Sequence, residues 1–313
     1  MSILVTGSIA YDTIMVFPDR FKNHLLPEQL HILNICFLTP EMRREFGGTA
    51  GNIGYNLRLL GESPIVMATV GEDSQPYLDR LDALGIANGQ LKRIHGQFTA
   101  QAFITTDLDD NQITAFHPGA MNFAHENNVT GALNARLAIV SPDGREGMLQ
   151  HARECAQLGV PFMFDPGQGL PMFSADELKE FVHLADYVAV NDYEGKMLEE
   201  RSGEKLESLA KQVKALVVTQ GARGSRVLAD GECHEIPCVE AERLSDPTGC
   251  GDAYRAGLLH GIAAGWDWPT TARLGSVMGA IKIAHRGGQN HKPTRGEIDA
   301  LFRRAFGYSP WGT

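Results

Sequence analysis

Paired cysteine is missing from this chain: its five cysteines, at 36, 155, 233, 238 and 250, form no C-x-x-C pair and leave one over. That argues against a disulfide framework and for free thiols in a reducing compartment. Cys233 and Cys238 have no His or Cys cluster beside them, which speaks against a metal site there. Missing too is any apolar run of membrane-spanning length free of charge or glycine. The chain opens on strand-like Ile3-Leu4-Val5, without a basic region followed by a long apolar stretch, so a cytoplasmic protein with no membrane partner is expected. Positive charge is in deficit. A net charge of −10 does not suit a polyanion-coating surface, and nucleic acid is not an expected partner. Repeats and low-complexity tracts are absent. What remains is 313 residues, 43% hydrophobic and 21% charged, enough for one large core with or without a small appendage.

The most informative segment is Asp246-Pro-Thr-Gly-Cys-Gly-Asp252, running directly into an apolar helical pattern at Ala256, Leu258, Leu259 and Ile262. Glycines 249 and 251 at a helix start aim several unpaired N–H groups at one point, and the helix dipole adds positive potential. Such a place suits an anion such as a phosphoryl group. Asp252 would repel a resting anion, but it can take the proton of a hydroxyl attacking phosphorus. The plainer reading is an ordinary helix cap with glycines in the preceding turn. Cys250 is read as contributing its backbone N–H rather than a reactive thiol.

Residues 2–7 read as a buried strand. Residues 13–45 are irregular, and two strand-like runs at 98–106 and 112–117 form a hairpin around Asp107–Asn111. Beyond 136, short apolar strands near 137–141, 161–165, 186–190 and 215–219 alternate with helices near 145–158, 174–184, 192–212 and 250–265. That rhythm implies an α/β body with a mainly parallel sheet covered on both faces. The pieces 13–46 and 96–118 read as a small β-rich subdomain inserted into it.

Four segments in order carry a resemblance. Asp246–Asp252 is similar to the C-terminal signature of the ribokinase-like (PfkB) sugar and nucleoside kinases, and Phe46-Gly-Gly-Thr-Ala-Gly-Asn52 is similar to their N-terminal signature. Between them, Asn191-Asp-Tyr-Glu194 resembles the family's Asn-x-x-Glu, and Thr219-Gln-Gly-Ala-Arg-Gly224 its nucleotide loop. The resemblance implies a three-layer α/β/α body whose β-rich subdomain is a lid. It implies Asp252 as general base and Gly249, Cys250 and Gly251 as an anion hole. It places ATP against Asn191, Thr219, Gly221 and Gly224, and Mg²⁺ near Glu194 through water. Asp12 and Asn52 would take sugar hydroxyls, with Gly47 and Gly48 leaving room for the ribose. Asp246 either holds a monovalent cation, K⁺ as in some members, or caps the turn. Arg255, unusual for the family, either approaches the phosphates or pairs with a neighbouring acid.

The spacing from Ser8 to Asp12, and the long stretch 18–34, resemble adenosine-kinase members more than sugar kinases. Asp165-Pro-Gly-Gln168 departs from the sugar-kinase Asp-x-Asn. Phe98, Gln101, Phe103 and Phe116 lie on segments able to build a slot for a flat base, on whichever strand face serves. The expected partners are therefore a nucleoside, adenosine first and inosine included, and ATP. The chain is expected to be a monomer or a homodimer. A ribokinase- or fructokinase-like sugar kinase is the alternative, and a ligand-binding regulator without chemistry stands outside that class.

Overall fold

A computed structural model describes residues 2–25, 34–109, 111–132 and 134–312. Thirteen strands are described in chain order: β1 Ser2–Thr6, β2 Ala10–Val16, β3 Glu41–Gly47, β4 Ser63–Val70, β5 Ala87–Arg93, β6 Ala100–Thr106, β7 Gln112–His117, β8 Ala135–Val140, β9 Phe162–Phe164, β10 Tyr187–Asn191, β11 Ala215–Thr219, β12 Ser225–Ala229 and β13 Glu232–Ile236. The α-helices are α1 Thr49–Leu59, α2 Gln75–Leu84, α3 Arg145–Leu158, α4 Ala175–Leu184, α5 Asp192–Ser202, α6 Leu206–Leu209, α7 Cys250–Ala264, α8 Trp268–Ile283 and α9 Arg295–Phe306.

Nine strands form one sheet in the order β13-β12-β11-β10-β9-β8-β1-β4-β5, parallel except for the antiparallel β11–β12 and β12–β13 pairs. Both its faces are apolar and covered, as parallel sheets require. Within β1, Ile3 and Val5 enter one core with residues of α1, α7 and α8, while Leu4 enters a second core with α3 and α4. The same alternation sends Val217 of β11 to the first core and Leu216 to the second. The result is the expected helix–sheet–helix sandwich. The smaller sheet, β3-β2-β6-β7, forms the lid, with β2 and β6 parallel and the outer pairs antiparallel.

Several elements were not anticipated. β2 and β3 lie in the stretch read as irregular; β3 carries Glu41, Arg43, Arg44 and Glu45, so hydrophobic alternation does not mark it. β12 and β13 form a hairpin on Asp230-Gly231, both at positive φ, a two-residue turn that the Asp-Gly pair could have signalled. The helix expected over 192–212 breaks at Gly203, whose left-handed backbone caps α5. Of the stretch 18–34, likened to the helical lid of adenosine kinases, residues 26–33 lie outside the described residues, and Phe21–Asn23 form a short 3-10 turn.

Gly48 sets how α1 leaves β3. Its φ is 86°, and a Cβ there would lie 2.5 Å from Ser8 O and 2.6 Å from Ala10 N. Only glycine lets the helix start this close to the chain leaving β1. Gly48→Ala should therefore destabilise the protein by about 1–3 kcal/mol from backbone strain alone, read as a lower denaturant midpoint at unchanged slope.

Candidate active site

At the carboxyl edge of the large sheet the starts of α1 and α7 face each other, where open α/β folds place their ligands. Gly249 caps α7 with a left-handed backbone, φ 76°, and no side chain caps the helix. The N–H of Cys250 donates to Pro247 O at 3.1 Å, so this amide, expected in the anion hole, is committed to the turn. The N–H groups of Gly249, Gly251 and Asp252 find no acceptor among the described residues. A Cβ on Gly251 would meet nothing within 4 Å, so the helix start opens onto free space. Burial pushes the Cys250 thiol up to about 11, which keeps it protonated.

Asp252 stands in the first turn of α7 and is half-buried. Its Oδ2 accepts from Asn52 Nδ2 at 2.8 Å. Asn52, buried in the first turn of α1, is itself held: its Oδ1 accepts from Gln289 Nε2 at 3.2 Å. Gln289 is buried as well; it donates to the Tyr77 hydroxyl at 2.7 Å and accepts from Arg80 Nε at 3.2 Å. The Tyr77 hydroxyl in turn donates to Gly47 O at 2.7 Å. This relay fixes which end of the Asn52 amide faces the acid. Burial raises the Asp252 carboxyl to about 7; the Asn52 N–H opposes the rise, Asp165 adds to it, Arg255 opposes it and Asp12 adds to it.

Asp12 projects from β2 and carries no hydrogen-bond partner among the described residues. Burial, then Asp246 and Glu45, push it up to about 6. A Cβ on Gly47 would sit 2.5 Å from Asp12 Oδ2, so the glycine leaves that carboxylate its place. In the lid register Asp12 pairs with Ala102, and Ala102 with Phe116, so these three share one face. Tyr11 pairs with Gln101, which therefore points to the other face, where its Nε2 donates to Asp73 Oδ2 at 3.1 Å. Gln101, a candidate for the base slot, is thus turned away from Asp12, and Phe103 lies on the same face as Gln101. Ser8, a substrate-site candidate from its place ahead of Asp12, accepts the Thr49 N–H at 3.1 Å on its hydroxyl oxygen, which lies 3.3 Å from the Thr49 hydroxyl.

At the start of α5, Asn191 and Glu194 form a reciprocal capping box: Asn191 Oδ1 accepts the Glu194 N–H, and Asn191 N–H and Nδ2 donate to the two Glu194 oxygens, all at 2.8 Å. Yet this is no surface cap. Glu194 is buried, with Arg255 Nη2 3.8 Å away, and burial raises its carboxyl above the usual range despite that charge. Arg255 is buried too and grips Asp165 with two bonds, at 3.1 and 3.2 Å. Of the two roles open to Arg255, the structure shows pairing with acids. Thr219 ends β11, and Gly221 follows with open space around its Cα. Gly224 serves the fold, since a Cβ there would strike Ile236 O at 2.0 Å. Asp246 caps its turn, accepting the Thr248 N–H at 2.9 Å on one oxygen and the Gly287 N–H at 2.8 Å on the other.

A family profile described as pfkB family carbohydrate kinase matches residues 11–295. The chain belongs to that family. It is 30% identical over 263 residues to a nucleoside kinase of Methanocaldococcus jannaschii, covering 83% of this chain and 86% of that one. A structure of Burkholderia thailandensis nucleoside kinase in complex with inosine superposes with a TM-score of 0.90 at 52% identity, covering 98% of this chain and all of the other. A second structure of that kinase, in complex with ADP-inosine, gives 0.88 at 54% identity over 99% and 98% of the two chains.

For a pfkB family member, the local motifs were legible and their supports were not. Gln289, Tyr77 and Arg80 lie in no recognised segment. The one hint is the glycine pair before Gln289, where a Cβ on Gly288 would fall 2.5 Å from Asn52 Oδ1. The relay makes a prediction about ionisation. The Asp252 carboxyl, followed by carbon-13 NMR, should titrate near pH 7, and in Asn52→Leu its midpoint should move higher because a donor to the charged form is gone. A wild-type midpoint in the ordinary aspartate range would contradict the site as described.

Proposed function

We propose that this protein is an ATP- and Mg²⁺-dependent nucleoside kinase that phosphorylates the ribose 5′-hydroxyl, with adenosine the leading substrate in a range that includes inosine. The observation that carries the reading is the Asn52–Asp252 hydrogen bond, which holds a half-buried carboxyl beside the free N–H groups of α7. The names of the two relatives, and the inosine in one of their structures, support a nucleoside over a bare sugar.

In this reading the nucleoside lies under the lid with its diol against Asp12, a group with unspent acceptor capacity, and Phe116 on the same lid face offers apolar surface to the base. Asp252 accepts the 5′-hydroxyl proton as that oxygen attacks the terminal phosphorus. The bond from phosphorus to the bridging oxygen breaks, and ADP leaves with the electron pair. The N–H groups of Gly249, Gly251 and Asp252 face the charge on the transferring group. The residues fit magnesium carried in on the ATP phosphates: both Glu194 oxygens are engaged by Asn191, leaving contact through water, and among the described residues no group of three or more His, Cys, Asp or Glu could hold a metal. When bound, that ion would neutralise phosphate charge. Among the described residues no helix is long and apolar enough to cross a membrane.

A panel of nucleosides and sugars with ATP and magnesium tests the assignment. Adenosine and inosine should turn over; turnover of ribose or fructose 6-phosphate with none of any nucleoside would overturn it. Asp252→Asn should lower kcat by at least ~10²-fold with nucleoside binding retained. Because the base must be ionised, kcat/KM should climb as pH rises through about 7 and level off above it. Asp12→Ala should mainly weaken nucleoside affinity, and more for ribo- than for 2′-deoxynucleosides.

A further inference from the structure

Lys282 lies in the last turn of α8, wholly buried and outside every motif that marks the site. Its Nζ donates to the main-chain oxygens of Asp246 and His285, each at 2.9 Å. Around this point the segment leading into α7 is fastened to the end of α8. The N–H groups of Ser245 and Asp246 both donate to Ile283 O, at 2.9 and 3.1 Å, and the Gly287 N–H donates to Asp246 Oδ2 at 2.8 Å. A single positive charge held by carbonyl oxygens next to a carboxylate is the setting a dehydrated monovalent cation occupies. Asp246 is the residue for which potassium was considered, and here its groups do not fit a free ion. Its carbonyl receives the ammonium, and each carboxylate oxygen already receives an N–H.

We propose that Lys282 is a tethered cation standing in for a diffusible monovalent ion beneath the anion hole, so that the protein works without potassium. A buried lysine is costly unless its charge is used or compensated. Here burial pulls its pKa below the usual lysine range, and the carboxylates of Asp246 and Asp252 are among the groups that oppose this fall. The ammonium offsets two of the acids at the site, Asp246 and Asp252, and holds the Asp246 carbonyl three residues before Gly249. Positive potential is thereby supplied behind the free N–H groups from a fixed place, with no binding step to complete first. A lysine serving only as an anchor would share the hydrogen bonds but confer no response to added cations when removed.

The test compares wild type and Lys282→Met at constant ionic strength in potassium, ammonium or choline chloride, reading nucleoside turnover and, without substrates, the melting temperature. Wild type should behave alike in all three salts on both readouts. Lys282→Met should lose at least ~10-fold in kcat in choline, regain activity in potassium or ammonium, and melt higher in those salts than in choline. Activation of wild type by potassium would overturn the proposal. So would a folded Lys282→Met whose turnover and melting ignore both ions. Should that variant fail to fold in choline, refolding yield gives the same reading: recovery in potassium supports the proposal, and its absence overturns it. The kinetic arm rests on the nucleoside kinase reading, whereas the melting arm does not. A wild type that phosphorylates no nucleoside would sink that reading alone.

Discussion

A hydrogen bond between residues 200 positions apart, Asn52 to Asp252, is the constraint on which the rest of the site depends. It joins the first turns of two helices that the chain reaches by different routes, α1 from the lid and α7 after the last strand of the large sheet. Each helix start needs a glycine at positive φ, Gly48 and Gly249, and each needs its neighbours to leave space. The bond also has a direction. An amide can present either end to a carboxylate, and only its N–H end stabilises the ionised form. Gln289 removes that freedom by occupying the oxygen of Asn52, and Arg80 and Tyr77 hold Gln289 in turn. The position of one carboxylate is thus written into four further side chains, Asn52, Gln289, Tyr77 and Arg80.

How much of this could be read from sequence follows from the range of each interaction. Helix starts are local: glycine, acid and apolar period lie within ten residues, so 46–52, 191–194 and 246–252 announced themselves. The parallel strands β1 and β8 to β11 were equally legible, because burial on both faces makes them continuous apolar runs, whereas the polar edge strand β5 was not. The lid sheet was only half visible. The β6–β7 hairpin was legible at 98–106 and 112–117, whereas β3 is largely charged and carries no alternation of a strand with one buried face. Alternation also leaves a phase open, so the face taken by Gln101 could not be chosen from sequence. Its register with Tyr11, which packs against Tyr77, turns it toward Asp73. Lys282 was invisible for another reason. In sequence it is a basic residue in the last turn of a helix, the commonest of surface features, and only packing shows it buried.

The placement of charge explains why a chain this acidic can gather so many carboxylates at one edge. Asp12, Asp165, Glu194, Asp246 and Asp252 all act on one another's ionisation or on the cations between them. Two cations are buried among them, and neither is interchangeable with the other. Arg255 presents a planar fork, and it makes two bonds to Asp165 while reaching toward Glu194, a geometry suited to holding two acids at once. Lys282 offers a compact charge and touches only carbonyl oxygens, so its field is left to act on the loop in front of it. Asp252 is bonded to neither cation. Its partner is a neutral amide, which allows burial to hold its carboxyl near neutrality, where a group can both accept a proton and give it up. Had Arg255 turned toward Asp252 instead, a strong ion pair would have lowered that affinity and left Asp165 and Glu194 buried without compensation. The arginine that looked out of place in the motif is taken up by Asp165 and Glu194, which leaves Asp252 to the neutral Asn52 amide.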